Sequence, residues 1–335
     1  MVATTSILDS MFEPEREIVF NVLNTMIENI QKEYIYHDCV VKQLDKGQDF
    51  CKVGKGRDNF GEQAEFDYCI VMDGHGDQHV YTSFFRATYN VMDFDALLGT
   101  ENPVQSITQW IEKQNHSLIV MHNTQAVLRI GSTLSIAKIY SNAEKIKVVC
   151  YNVGDSRIAI FENDKRVYIN KPHNIGLESE KARLASKIKE GSAAVNEECK
   201  FELVNGHTIR RCVSDRVSFY YGKYMYTSLI PTQCMGHLGI TGLDPEVHVA
   251  EFDASVKLRI VAYSDGIDDM LCEGLVEDEE LVATKSCGEI MDKIVERWAS
   301  SWTIENTRPS SIQETTRFGR GDDCSICIWD NYSLI

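Results

Sequence analysis

Aspartate beside glycine at the end of an apolar run recurs three times in this 335-residue chain. Tyr68–Met72 leads into Asp73-Gly74-His75-Gly76, Val148–Val153 into Gly154-Asp155-Ser156-Arg157, and Leu258–Ser264 into Asp265-Gly266. A further acid pair, Asp322-Asp323, stands directly before the apolar run Cys324–Trp329. One Asp-Gly after a strand is ordinarily a turn, because Asp hydrogen-bonds its own backbone and Gly tolerates positive φ. Four acids at strand ends in one chain ask for more. Strand ends can converge on one sheet edge, and carboxylates gathered there repel unless cations hold them. Hard divalent cations prefer oxygen ligands, and a glycine carbonyl is an accessible additional one.

The elements that must position these acids are short apolar runs bounded by Gly, Asp or Asn: Phe66–Met72, Ser132–Ile139, Ile146–Val153, Arg157–Phe161, Leu258–Tyr263 and Cys324–Trp329. Each has strand length and strand composition. Tyr140–Glu144 reads as a hairpin loop, and the runs over 132–161 read as hairpin-like pairs. Apolar residues three and four apart predict an amphipathic helix over 14–33. Helices are also predicted over 78–128, broken near Gly99 and Pro103, and over Gly274–Trp302. Residues 171–244 are polar and glycine-bearing. The whole chain, 1–335, reads as a single α+β domain with that polar insert.

Composition narrows the partners. Lys and Arg number 34 against 50 Asp and Glu, a net charge of −16, so nucleic acid and anionic membranes would be repelled. No apolar stretch is long enough to span a bilayer, and the N-terminus lacks the basic start and apolar core of a secretory signal. Eleven scattered cysteines, several inside apolar runs, read as reduced core thiols. An intracellular location, cytoplasmic or nuclear, and a monomeric state are the expectations. A phosphorylated substrate would need local positive charge or metal.

Asp73-Gly-His-Gly76, Gly131-Ser-Thr133, Gly154-Asp-Ser-Arg157, Ser264-Asp-Gly266 and Gly321-Asp-Asp-Cys-Ser325 occur in an order that resembles the metal-dependent (type 2C) serine/threonine protein phosphatases. The resemblance covers about residues 50–330. It implies a four-layer α-β-β-α sandwich, two antiparallel sheets flanked by helices, with a two-metal site at one end. Carried over by position, it implies that Asp73 bridges two Mg2+ or Mn2+ ions and that the Gly74 carbonyl binds one. Asp265 and Asp322 complete the other shell, and Asp155 serves a third, weaker ion. His75 resembles the general acid toward the leaving seryl or threonyl oxygen. Two such ions would activate a water and stabilise phosphoryl charge. The substrates implied are phosphorylated proteins. A catalytically silent binding protein and a small-molecule phosphate-ester hydrolase are the alternatives.

The family also has an arginine upstream that grips phosphate, followed by acids. Arg57 in Gly54-Lys-Gly-Arg57-Asp58-Asn59 is the natural candidate, since guanidinium forks onto phosphate. Asp58 is preferred over Glu62 as the accompanying acid, a direct or outer ligand of the metals, both being read as residues of a loop. Two segments depart from the family pattern. Its Ser-Arg-x-Leu-Gly-Asp signature reads Gln233-Cys-Met-Gly-His237 here, and the flap region is rewritten with the tyrosine-rich run Phe219–Tyr226.

Several tempting motifs read more simply. Cys324-x-x-Cys327 lies on a strand, where positions three apart face opposite sides. His75-x-x-x-His79 lacks the glutamate and the helix of a zinc protease. Gly54-Lys-Gly56 lacks the spacing of a nucleotide loop. The hydroxyls of Ser132 and Thr133 are expected to satisfy backbone groups, and Glu277–Glu280 to begin a solvated helix.

Overall fold

The computed structural model describes residues 34–36, 39–77, 85–122, 124–196, 201–205, 208–212, 216–221, 224–272, 274–306, 314–317 and 321–331. The helix expected over 14–33 lies outside them. Among the described residues, eleven strands build the two main sheets: β1 (Tyr34–Tyr36), β2 (Cys39–Lys42), β3 (Phe50–Arg57), β4 (Glu65–Met72), β5 (Leu134–Ser141), β6 (Lys145–Val153), β7 (Arg157–Glu162), β8 (Lys165–Ile169), β9 (Glu246–Asp253), β10 (Leu258–Tyr263) and β11 (Cys324–Asp330). One sheet runs β9-β6-β5-β4-β3 and the other β1-β2-β11-β10-β7-β8, both antiparallel.

Alternation of side chains along a strand makes the layers. On β4, Cys69 and Val71 face the second sheet. There they join Ala137, Val148 and Cys150 against Ile158, Ile160, Ile260 and Cys327. The other face of β4, Phe66, Tyr68, Ile70 and Met72, packs under α1 (Phe94–Leu98) and α2 (Pro103–His122) through Phe94, Leu98, Ile107 and Ile111. Behind the second sheet, Ala159, Val261 and Ile326 pack against Ile290, Ile294 and Trp298 on the second of two further helices. Those helices are α3 (Val276–Thr284) and α4 (Cys287–Ala299), and α4 opens with a Ser286–Glu289 capping box. The α-β-β-α order is therefore present. Cys324 falls in the outer core and Cys327 between the sheets, so the two sulfurs face opposite ways.

Three predicted boundaries need correction. β6 and β7 do not form a hairpin; after Val153 the chain crosses from one sheet to the other through Gly154-Asp155-Ser156. Trp302 is not helical but belongs to a strand, Ser301–Asn306. The glycine-bearing segment before Arg57 is not a loop but β3. Its glycines make room for aromatic rings across the strand pair, because a Cβ at Gly54 or Gly56 would lie 2.5 Å from Tyr68 or Phe66. The polar insert holds a helix, Glu178–Lys189, and a three-stranded sheet in which Arg216–Tyr221 pairs with Tyr224–Leu229. No helix among the described residues is long and apolar enough to cross a membrane.

Candidate active site

Register brings the acids to one end of the sandwich. β4 ends at Met72, opposite Phe50 at the start of β3, so Asp73–Gly76 emerges beside Lys46–Asp49. Tyr263 at the end of β10 pairs with Ile326 near the start of β11 and with Arg157 at the start of β7. Asp265, Asp322 and Asp155 therefore leave the second sheet at that same end. Among the described residues, six carboxylates, Asp49, Asp73, Asp155, Asp265, Asp322 and Asp323, line a cleft of about 310 Å³, against two cations, Lys46 and Arg216. Asp73, Asp155 and Asp265 each offer an oxygen within 4.8 Å of the others.

Hydroxyls and backbone amides hold the strand ends in place. The Asp73 amide donates to Thr133 Oγ1 at 3.0 Å, and its carbonyl accepts from the Thr133 amide and from Ser132 Oγ. Thr133 Oγ1 in turn meets Ser156 Oγ at 2.7 Å, tying the Asp73 strand end to the Asp155 crossover. Arg157 is committed elsewhere, to Asp268 and the Asn170 carbonyl. The adjacent pair Asp322-Asp323 divides its labour. Asp322 opens on the cleft, while both oxygens of Asp323 accept backbone amides, from Asp45 and Gln48 at 2.8 Å each. Asp323 thus clamps the loop that carries Lys46.

The electrostatics record the imbalance. Burial first, then the Asp265 charge, push the Asp73 and Asp155 carboxyls well above the usual carboxylate range. Burial and then Asp323 do the same to Asp49. Asp322 is raised from 3.8 to about 7, by burial and then Asp265, with Lys46 opposing. Oδ1 of Asp155 is buried with no hydrogen-bond partner. An orphaned carboxylate oxygen among repelling acids, all the donors being oxygen, fits a hard divalent cation.

His75 sits on the cleft wall, its ring turned toward His237: the two Nε2 atoms are 2.8 Å apart and the rings stack at 4.9 Å between centroids. Burial, then His237 and Lys46, lower its pKa well below the ordinary histidine value.

Of the residues singled out in the sequence, Asp73, Gly74, His75, Asp155, Asp265 and Asp322 meet around this cleft; Arg57 and Asp58 do not. Arg57 lies at the far end of β3, seven residues from Phe50 and so about 23 Å along the strand. There it is exposed and pairs with Glu65. Asp58 is buried and accepts from Lys138 Nζ at 2.7 Å and from the Tyr140 hydroxyl at 3.3 Å. Glu62 is exposed in the turn between β3 and β4. The segment that reaches the cleft is Lys46–Asp49, before β3. The signal was available, because in an antiparallel pair the start of the first strand, not its end, neighbours the end of the second.

A family model for protein phosphatase 2C matches residues 43–297, about three quarters of the sequence. The chain belongs to that family. Among solved structures, the fold is similar to a sex-determining protein of C. elegans at 14% identity, covering 84% of this chain and 64% of that one, with a TM-score of 0.43. It is also similar to a serine/threonine phosphatase 2C from Toxoplasma gondii at 13% identity, covering 89% and 96%, TM-score 0.44. A third is the Mycobacterium tuberculosis serine/threonine phosphatase PstP at 12%, covering 84% and 98%, TM-score 0.41. No curated protein sequence matches the chain.

Proposed function

We propose that the cleft hydrolyses phosphoserine and phosphothreonine in protein substrates with a water activated by two divalent cations, Mg2+ or Mn2+. One observation carries the reading: Asp73, Asp155 and Asp265 place oxygens within 4.8 Å of one another, and Asp155 Oδ1 is buried without a partner. Asp73 and the Gly74 carbonyl would hold the paired ions, with Asp265 and Asp322 completing the set and Asp155 serving a third, weaker one. Bound there, the ions supply Lewis acidity and a water ionised near neutral pH.

The chain's own residues do the remaining work. Lys46 and Arg216 line the cleft and are the cations for the substrate's phosphate oxygens, the part first given to Arg57. The Asp323 clamp fixes the loop that presents Lys46. His75 is the group assigned to the leaving oxygen, its imidazole neutral at rest because burial lowers its pKa. Part of the cleft lining, Thr227–Pro231, comes from the insert, so contacts there select among phosphoproteins. A phosphothreonine peptide incubated with Mn2+, and separately with excess chelator, tests the reading. Turnover should require the metal, and equal turnover under both conditions would contradict it.

A further inference from the structure

A three-stranded ribbon lies beside the cleft. Gly74–His75 pairs with Gly131–Ser132, and that segment pairs on its other side with Met235–Gly236. The middle strand carries no side chain at Gly131, where a Cβ would come 2.3 Å from His237 Cδ2 and Nε2. Through this gap His75 and His237 meet, with Nε2 atoms 2.8 Å apart. Cys234, buried like His237, brings its Sγ within 4.8 Å of a ring nitrogen of each histidine.

The hydrogen bonds settle which nitrogens carry protons. His237 Nδ1 lies 2.8 Å from the Leu128 carbonyl, which can only accept, so Nδ1 holds the hydrogen and neutral Nε2 presents its lone pair. The His75 nitrogen that faces this lone pair is its Nε2. The His237 Nε2 lone pair therefore faces His75 Nε2 at 2.8 Å, and a hydrogen or a cation must lie between the two nitrogens. A proton serves in the arrangement seen. A metal ion serves equally, because metal-binding histidines are oriented by this kind of Nδ1–H to carbonyl bond. Strain accompanies the placement: His237 and Leu238 both have φ of +49°, in the left-handed region that non-glycine residues seldom occupy.

We infer that His75 Nε2, His237 Nε2 and Cys234 Sγ form a second metal site, for a Zn2+-like ion rather than Mg2+ or Mn2+. Two imidazoles and a thiolate suit borderline ions in tetrahedral geometry, whereas the neighbouring aspartates suit hard ones. Tetrahedral coordination at about 2.05 Å would put the two nitrogens about 3.3 Å apart, so the rings need part by only about half an ångström. Coordination releases the Cys234 thiol proton to solvent and leaves a fourth position for water. The contrast with Cys39, Cys51 and Cys327 is instructive. Those thiols also cluster, but they lie between the sheets with no nitrogen ligand in the group. Under the proposed function, an ion on His75 takes the leaving-group acid, so Zn2+ inhibits where Mn2+ activates.

The test is Co2+ titration of the full chain with its acid cluster saturated by Mn2+, followed by absorption spectroscopy. One equivalent should give a thiolate-to-cobalt charge-transfer band with tetrahedral ligand-field bands. Cys234→Ser should abolish the charge-transfer band, and His237→Gln should weaken Co2+ binding by about tenfold or more. An unchanged Mn2+ thermal shift in each variant shows that the fold persists. No band at excess Co2+, or a band that survives Cys234→Ser, would overturn the site. This readout needs no turnover, so it stands or falls separately from phosphatase activity. If turnover exists, Zn2+ should inhibit wild type more strongly than Cys234→Ser, and equal inhibition would overturn the regulatory role.

Discussion

The two ends of the β3–β4 hairpin each hold a carboxylate, Asp58 buried and Asp73 half-buried, and treat it in opposite ways. At the turn end, Asp58 is matched by Lys138, itself only 1% exposed, whose ammonium also donates to the Leu98 carbonyl. At the open end, Asp73 stands among five further carboxylates facing two cations. A buried acid with a dedicated lysine is architecture, since the charges neutralise each other and their donors are satisfied. Buried acids without matching cations are kept only where something outside the chain completes them. The difference between the ends, rather than any single aspartate, marks where the chemistry lies.

Exchanging charge for amide at each end separates them most sharply. Asp73→Asn should lower metal-dependent phosphopeptide turnover by about 10³-fold or more, the scale of several kcal/mol of lost transition-state stabilisation. In chelator the same variant should melt higher than wild type, because a repelling carboxylate has gone. Near-normal turnover, or a lower melting point without metal, would place Asp73 with the architectural acids. Asp58→Asn should show the reverse pattern. It leaves the Lys138 ammonium buried without its partner, costing about 3 kcal/mol in urea unfolding, while turnover per folded molecule is unchanged. A variant as stable as wild type would remove the comparison's first half.

Smaller effects sharpen the same contrast. Lys46→Ala should raise KM about tenfold, the scale of one charge-assisted contact to phosphate, whereas Arg57→Ala should leave it unchanged. The opposite result would restore Arg57 to the substrate and move the binding end. The pH dependence follows from Asp322. Its folded pKa, about 7, lies above the ordinary 3.8, so the folded state binds more protons than the unfolded between those values. The contribution of Asp322 to the stability of the metal-free protein is therefore full below about 3.8 and is lost as pH rises through about 7. Saturating Mn2+ should offset that loss and raise Tm by about 5 °C at pH 8, and by less at pH 5. A metal shift independent of pH would mean that these acids are not the ligands.

Much of this was legible in the sequence because apolar alternation and Asp-Gly punctuation are local. The runs ending at Asp73 and Asp265 became β4 and β10 almost to the residue, and Gly99 and Pro103 bracketed the break before α2. Pairing was not local, and there the reading failed. Val153 and Arg157 looked like two sides of one hairpin, but the chain changes sheet between them, which is what delivers Asp155 to the cleft. Gly54 and Gly56 disguised a strand as a loop, so Arg57 was expected beside the acids although it lies at the far end of β3. The Asp323 clamp and the meeting of His75 with His237 join residues 278 and 162 positions apart. No pattern of neighbouring residues announces such contacts.

Calorimetric titration of Mn2+ into wild type, Asp58→Asn and Asp73→Asn at one pH tests the central claim most directly. The account predicts that wild type and Asp58→Asn bind alike, with proton release from the raised carboxyls, and that Asp73→Asn loses binding at the paired site. Undiminished binding by Asp73→Asn, or loss on changing Asp58, would contradict it.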